Sequence, residues 1–236
     1  MVVTNMDKPS QKVHVIDAVQ RLGVAYHFEK EIEEVLQIIN HAQVDDDLYT
    51  TSVRFRLLRE YGFNVHCGPV LPVRQIHPNH VLRELPDLAL QQSVIDRLSS
   101  RLPSPITQTI TDTFNKFKDE NGKFKESLIG DVKGILELYE AANFQVHGEN
   151  ILEEALSFTK FHLKLAEPKA DYPLSTQIAD ALNRPLLKSL PRVVATTYIP
   201  IYEGYGTIDQ NLLKFAKLDF KTVQHLHKEE IKEIRR

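Results

Sequence analysis

The sequence predicts an all-α protein whose antiparallel helices are joined by short loops. Where a segment has a clear period, its apolar residues recur at i, i+3, i+4 and i+7, the spacing of a helix buried on one side. Segments that alternate apolar and polar residues, the pattern of a strand, are almost absent. The glycines stand apart from one another and follow the apolar stripes, where helix ends favour them.

The N-terminal quarter predicts three helices. Apolar residues from Ile16 to Leu22 indicate a first helix that ends at Gly23, and those from Phe28 to Ile39 indicate a second. The acidic run Asp45–Asp47 offers side-chain acceptors that favour the start of a third helix, which continues from Leu48 to Leu58.

The stretch from Phe114 to Ala166 predicts a loop, a helix, a turn and a second helix. Its loop, Asp119 to Lys123, contains an Asn-Gly pair that tolerates left-handed backbone. Apolar residues from Leu128 to Tyr139 predict the first helix, Gly148 lies at the turn, and Ile151 to Leu163 continue the period. Further helices are predicted near 174–183, 192–202, 211–218 and 221–234.

These blocks resemble the N-terminal domain of plant terpene synthases, most closely that of angiosperm sesquiterpene cyclases. Beside the stretch from Phe114 to Ala166, the resemblance rests on VIDAVQRLGVAYHFEKEIEEVL (15–36), LYTTSVRFRLLREYGFNV (48–65), LLKFAKLDF (212–220) and LHKEEIKEI (226–234). The blocks come in the family's order and cover most of the chain. The resemblance implies an α-barrel of paired helices, the terpenoid cyclase type of α/α toroid, formed by residues 13–236 after a flexible N-terminus of residues 1–12.

Residues 68–113 depart from this pattern. The segment holds six of the 12 prolines and contains no lysine, phenylalanine or tyrosine, although its flanks are rich in all three. In the resembled family, the block ending in GFNV runs almost directly into the block beginning FNKF. Three origins are open: an inserted loop with a short helix from Leu85 to Leu102, translated intron sequence, or an error in the gene model. The composition favours an artefact, since so long a segment is uncommon in a compact helical domain, and if translated it should be exposed and mobile.

Composition limits the function classes. A formal charge of −3 and a pI of about 6.4 give no reason to expect nucleic acid or an anionic membrane as a partner. The single cysteine, Cys67, excludes an internal disulfide and is typical of a reducing compartment. No apolar run approaches the roughly 20 residues that span a bilayer, and the first residues lack signal or transit character. We expect a cytoplasmic protein.

The resemblance implies carbon–oxygen lyase chemistry on a prenyl diphosphate, with Mg²⁺ held by an aspartate-rich DDxxD helix and a second Asn/Asp, Ser/Thr, Glu cluster. Carboxylate oxygens are the ligands that Mg²⁺ prefers, and the metal neutralises the leaving diphosphate. Both motifs belong to the family's C-terminal domain, which we expect to be absent from this chain. The only dense acidic run, Asp45, Asp46 and Asp47, lacks the second arm of the motif and is better placed as a helix cap. We therefore predict no catalytic, cofactor-binding or metal-binding residue within this chain.

Two further family motifs are missing. No DxDD sequence occurs, so the chain lacks the buried acid with which a related domain protonates an alkene. The tandem-arginine motif RRx8W is also absent, because the chain has no tryptophan and its Arg235-Arg236 pair lies at the opposite end.

Other candidate residues predict little chemistry. His77 and His80 have a spacing that suits a metal, but no cysteine or carboxylate is placed to complete a site. Cys67 is a lone thiol. The remaining candidates are predicted to be ordinary helix-surface residues: Ser127, Ser157, His225 and His227.

We expect the N-terminal domain of a sesquiterpene synthase whose partner is the parent's catalytic domain, with prenyl diphosphate bound only by the full-length enzyme. One alternative is a stand-alone binding or scaffolding module that pairs with a full-length synthase. Another is a helical-repeat protein, but the sequence shows no fixed repeat period, which argues against it. An exposed apolar patch is expected, and with it association of the isolated domain. Its expected residues are Leu212, Leu213, Phe215, Leu218 and Phe220.

Overall fold

The computed structural model describes residues 9–41, 47–63, 65, 113–206 and 209–234. Within these ranges the chain forms eight α-helices, several short 3-10 helices and no β-strand, so the predicted all-α class is confirmed. The helices are α1 (Pro9–Arg21), α2 (Glu29–His41), α3 (Leu48–Glu60), α4 (Val132–Ala142), α5 (Asn150–Ala166), α6 (Leu174–Asn183), α7 (Pro191–Gly204) and α8 (Gln210–Ile234).

Five of these helices close a ring. Helix α1 packs against α3, α3 against α4, α4 against α6, α6 against α7, and α7 returns to α1. The other three lie outside the ring: α2 against α1 and α3, α5 against α4 and α6, and α8 against α7. The predicted α-barrel is therefore confirmed, and the apolar stripes of the ring helices meet in one core.

Helix ends lie where the polar and glycine residues favour them. Asp47 caps α3, because its carboxylate accepts a hydrogen bond from the backbone N–H of Thr50 at 2.7 Å. Gly23 ends α1 with φ +75°, and a Cβ at this position would approach the Cβ of Ala195 on α7 to 2.9 Å. Glycine therefore permits both the turn and the close packing of α7.

Three predicted boundaries are wrong. Residues 9–12 are not part of a flexible terminus, because α1 begins at Pro9, whose fixed φ suits the first helical position. The helix expected from Leu128 begins at Val132, because Asp131 caps it after a 3-10 turn. The two helices expected at 211–218 and 221–234 are one helix, α8, since the side chain of Asp219 contacts neighbouring elements instead of capping a new helix.

The exposed apolar patch expected on α8 is wrong for Leu212 and Leu213 and confirmed for Leu218. Leu212 and Leu213 are 7% and 3% exposed because they pack against the barrel, and Phe215 packs against the same core. Leu218 is 66% exposed, and the apolar surface instead extends toward the C-terminal half of α8.

The expected insert, 68–113, lies almost wholly outside the described residues, as does the short helix from Leu85 to Leu102. The residues that flank it are both fixed to α3. Arg59 donates hydrogen bonds to the carbonyl oxygen of Val65 from Nε at 2.9 Å and from Nη2 at 2.7 Å. One turn earlier, the ring of Phe55 packs edge-on against the ring of Phe114, with centroids 5.3 Å apart. Each of these two described flanks is therefore held in place by a side chain of α3.

We predict that replacing residues 68–112 with a short Gly/Ser linker preserves the fold. Shortening a loop between fixed ends reduces the entropy of closing it, so the free energy of unfolding should rise by about 1–2 kcal/mol. Urea unfolding followed by circular dichroism at 222 nm, a standard helix signal, measures this change. As a control, Arg59→Met should destabilise both the full and the shortened chain, because it releases Val65. A shortened chain that loses cooperative unfolding would contradict the prediction.

Candidate functional site: a cleft above buried charges

A cleft of about 410 Å³ opens where the five ring helices meet. Helix α1 contributes His14 and Asp17, α4 contributes Lys133 and Glu137, and α3 contributes Tyr49. Helix α6 adds Gln177. Helix α7 and the residue that follows it supply an aromatic wall of Tyr198, Tyr202 and Tyr205.

Helical spacing explains why these side chains meet. Residues three, four or seven apart lie on one side of a helix. Such spacings separate His14 from Asp17, Lys133 from Glu137, and the three wall tyrosines from one another. Polar residues thus occupy positions on the stripe that faces the inside of the ring.

A network of buried ion pairs forms the floor of the cleft. Arg21 on α1 donates from Nε to Oδ1 of Asp17 at 2.8 Å and from Nη2 to Oε2 of Glu137 at 2.5 Å. Arg56 on α3 also donates to Asp17, and its Nη1 lies 2.9 Å from Oε2 of Glu60. The network therefore connects α1, α3 and α4, three neighbouring helices of the ring.

Burial and the two arginines determine the direction in which the pKa of each buried carboxylate shifts. Burial opposes ionisation of Asp17, but the charges of Arg21 and Arg56 outweigh it and hold the pKa of Asp17 below its usual value. Burial raises the pKa of Glu137, only partly opposed by Arg21. One turn away, burial raises the pKa of Glu140 to about 7. The Oε2 atom of Glu140 accepts a hydrogen bond from the backbone N–H of Leu186 at 2.9 Å.

A second group of contacts fixes the outer helix α8. Asp219 lies 2.8 Å from Nε2 of His27 and accepts a hydrogen bond from Nη1 of Arg192 at 2.9 Å. It also accepts one from the hydroxyl of Tyr26. Burial opposes ionisation of Asp219, but these hydrogen bonds lower its pKa. The cluster ties α8 to α7 and to the link between α1 and α2, away from the cleft.

The sequence candidates that lie within the described residues do not line this cleft. Asp47 caps α3, and His225 and His227 are exposed on α8. Ser127 is exposed, and the hydroxyl of Ser157 donates to the carbonyl oxygen of Glu153 at 3.1 Å. The remaining candidates lie outside the described residues: Asp45, Asp46, Cys67, His77, His80, Arg235 and Arg236.

Sequence reasoning missed the cleft residues, although a signal was present. Tyr198, Tyr202 and Tyr205 share one helical side, and Asp17 and Glu137 fall on apolar stripes where a charge is costly unless paired. Charged residues at core positions of several helices predict a buried network. Which helices would share it depended on the tertiary structure.

The donor set does not suit a magnesium ion. Within the described ranges, no group of three or more His, Cys, Asp or Glu side chains is placed to hold a metal. Asp47 serves as a helix cap, Asp17 is paired with two arginines, and Glu149 with Arg59. In the same part of the chain, no helix is both long and apolar enough to cross a membrane.

The sequence matches the family model described as "Terpene synthase, N-terminal domain" over residues 1–72 and 108–182. The chain belongs to the terpene synthase family. The match covers most of the chain. It falls on the ring helices α1, α3, α4 and α6 and on α2 and α5 outside the ring. The resemblance inferred from the sequence blocks is confirmed.

Curated relatives and solved structures agree with this assignment. The (+)-delta-cadinene synthase isozyme XC14 of Gossypium arboreum is 44% identical over 238 residues, covering 100% of this chain and 35% of the relative. Valencene synthase of Vitis vinifera is 44% identical over 97% of this chain and 34% of its own length. The structure of isoprene synthase from grey poplar (Populus x canescens), with three Mg²⁺ ions and dimethylallyl-S-thiolodiphosphate, has a TM-score of 0.74 at 30% identity. That similarity covers 98% of this chain and 37% of the poplar enzyme, so the chain spans only about a third of the length of its relatives.

We predict that Arg56→Met lowers the free energy of unfolding by about 3–5 kcal/mol, because it leaves buried Asp17 with one fewer cation. Urea unfolding measures the loss. The control is Lys232→Met, which breaks the exposed pair of Lys232 and Glu229 and should cost less than about 1 kcal/mol. Equal effects of the two substitutions would show that the network contributes no special stability.

Glu140 should make stability depend on pH. Its pKa is raised in the folded state, so folding binds the proton, and this stabilisation is lost as pH rises through about 7. From about pH 5.5 to about pH 8, Glu140 should lower the free energy of unfolding by about 2 kcal/mol. Glu140→Gln keeps an acceptor for Leu186 and should remove this part of the slope, whereas Glu153→Gln on the exposed side of α5 should not. Unfolding curves at a series of pH values give the comparison, and parallel slopes for wild type and Glu140→Gln would refute it.

Proposed function

We propose that this chain acts as the N-terminal helical domain of a sesquiterpene synthase, an enzyme that cyclises farnesyl diphosphate with loss of diphosphate. The observation that carries the proposal is the family match, joined to 44% identity with a cadinene synthase and a valencene synthase along nearly the whole chain. In this proposal the domain supports a catalytic domain and performs no ionisation chemistry of its own.

The contacts of the carboxylates support the proposal that this domain does not bind the catalytic metal. Mg²⁺ takes several oxygen ligands that are free to bind it, and it would neutralise the departing diphosphate. Asp17 and Glu137 are instead engaged by Arg21, and Asp47 by a backbone N–H group. We therefore place Mg²⁺ and the prenyl diphosphate in the part of the relatives that this chain does not span.

The exposed apolar side chains of α8 support a partner domain. Leu226, Ile231 and Ile234 are 56%, 52% and 84% exposed. Apolar groups gathered on one surface mark sites of association. In the proposal, the catalytic domain of the parent synthase covers this surface.

A chimera tests the proposal. We predict that this chain, substituted for the N-terminal third of the Gossypium delta-cadinene synthase, gives an enzyme that converts farnesyl diphosphate with Mg²⁺ to within about tenfold of the parent rate. The product should be unchanged, and residues 1–236 alone should release no diphosphate. Gas chromatography and a diphosphate-release assay measure both.

Two outcomes count against the proposal. Turnover by residues 1–236 alone would assign chemistry to this domain, and a folded but inactive chimera would deny the supporting role. Surface variants locate the contact: Ile231→Glu on α8 should impair the chimera, whereas Phe161→Glu, at a side chain on α5 that is 61% exposed, should not.

A further inference from the structure

The walls of the cleft already hold two of the chain's own cations. The guanidinium of Arg21 lies 5.6 Å from the ring centroid of Tyr198, and the ammonium of Lys133 lies 4.6 Å from that of Tyr205. Tyr202 stands beside Tyr198, with ring centroids 6.0 Å apart. The face of a phenol ring attracts positive charge. These walls therefore suit a further cation.

Two carboxylates line the floor of the cleft. Asp17 and Glu137 line it, with side chains that are 4% and 1% exposed. The connected network contains two guanidiniums, those of Arg21 and Arg56, against the carboxylates of Asp17, Glu137 and Glu60.

The size and lining of the cleft complete the argument. Its volume of about 410 Å³ lies within the range of small-molecule sites, about 300–1,000 Å³. We propose that the cleft binds a small organic ammonium ion, with the cation against the rings of Tyr49, Tyr198 and Tyr202, above the carboxylates of Asp17 and Glu137. The proposal concerns the described residues alone and does not depend on the proposed function.

Lys133 decides the sign of the ligand charge. Its ammonium group lines the same cleft and competes with a bound cation for the rings and the carboxylates. Lys133→Met should therefore tighten the binding of a cation and weaken the binding of an anion. This substitution separates the two ligand classes without altering the buried network.

The test uses residues 1–236, choline as the probe, and dimethylbutanol, in which carbon replaces the charged nitrogen of choline. Titration calorimetry in a buffer free of organic amines should give a dissociation constant in the millimolar range or below for choline. The preference over the neutral analogue should be about 5- to 30-fold, the range expected for a partly desolvated cation on aromatic rings.

Variants fix the site. Tyr202→Leu should weaken choline binding about 5-fold or more, whereas Tyr202→Phe, which keeps the ring, should not, with circular dichroism confirming that both fold. Lys133→Met should strengthen binding. Equal affinity for choline and dimethylbutanol, no binding of choline at tens of millimolar, or weaker binding by Lys133→Met would each overturn the proposal. Inorganic phosphate binding that Lys133→Met abolishes would identify an anion site instead and overturn it as well.

Discussion

The barrel depends on the pairing of two buried arginines with carboxylates from three neighbouring helices. Asp17 receives hydrogen bonds from Arg21 on its own helix and from Arg56 on α3, and Arg21 reaches Glu137 on α4. None of these charges tolerates burial alone, because each gives up its hydration on folding. The pairings are satisfied together only when α1, α3 and α4 take their positions in the ring. The network thus selects one arrangement among the many that apolar stripes alone would permit.

The same constraint shapes the cleft above it. A ring of helices that met around an apolar interior would close its end with packed side chains, but charged groups there need room and polar neighbours. Tyrosines fill the wall because they combine an apolar ring with a polar tip, and two of them lie beside cations of the chain itself. Glu140, one turn after Glu137 on α4, accepts a hydrogen bond from the backbone N–H of Leu186. The link between α6 and α7 is therefore held by α4.

Two contact sets outside the ring organise the remaining chain. Arg59 binds the carbonyl oxygen of Val65 and the carboxylate of Glu149, which anchors one flank of the atypical segment and the turn before α5. Asp219 joins α8 to the link after α1 and to α7. Beyond Asp219, the apolar side chains of Leu226, Ile231 and Ile234 are exposed, and in the proposed function they contact the catalytic domain. These two contact sets thus fix the flank at Val65 and the first half of α8.

The sequence alone determined the helical class, most helix positions and the family. These features depend on local patterns. The apolar stripe of α2, the cap at Asp47 and the glycine at position 23 each act over a few residues, so the sequence alone predicts them. The sequence did not predict the continuity of α8 or the burial of Leu212 and Leu213, because both depend on how α8 packs against α7. The cleft was not predicted from the sequence at all. The spacing of Tyr198, Tyr202 and Tyr205 places them on one side of a helix. Only the closure of the ring brings that side over Asp17 and Glu137. Contacts between residues far apart in the chain follow no fixed spacing in the sequence, so the sequence alone does not predict them.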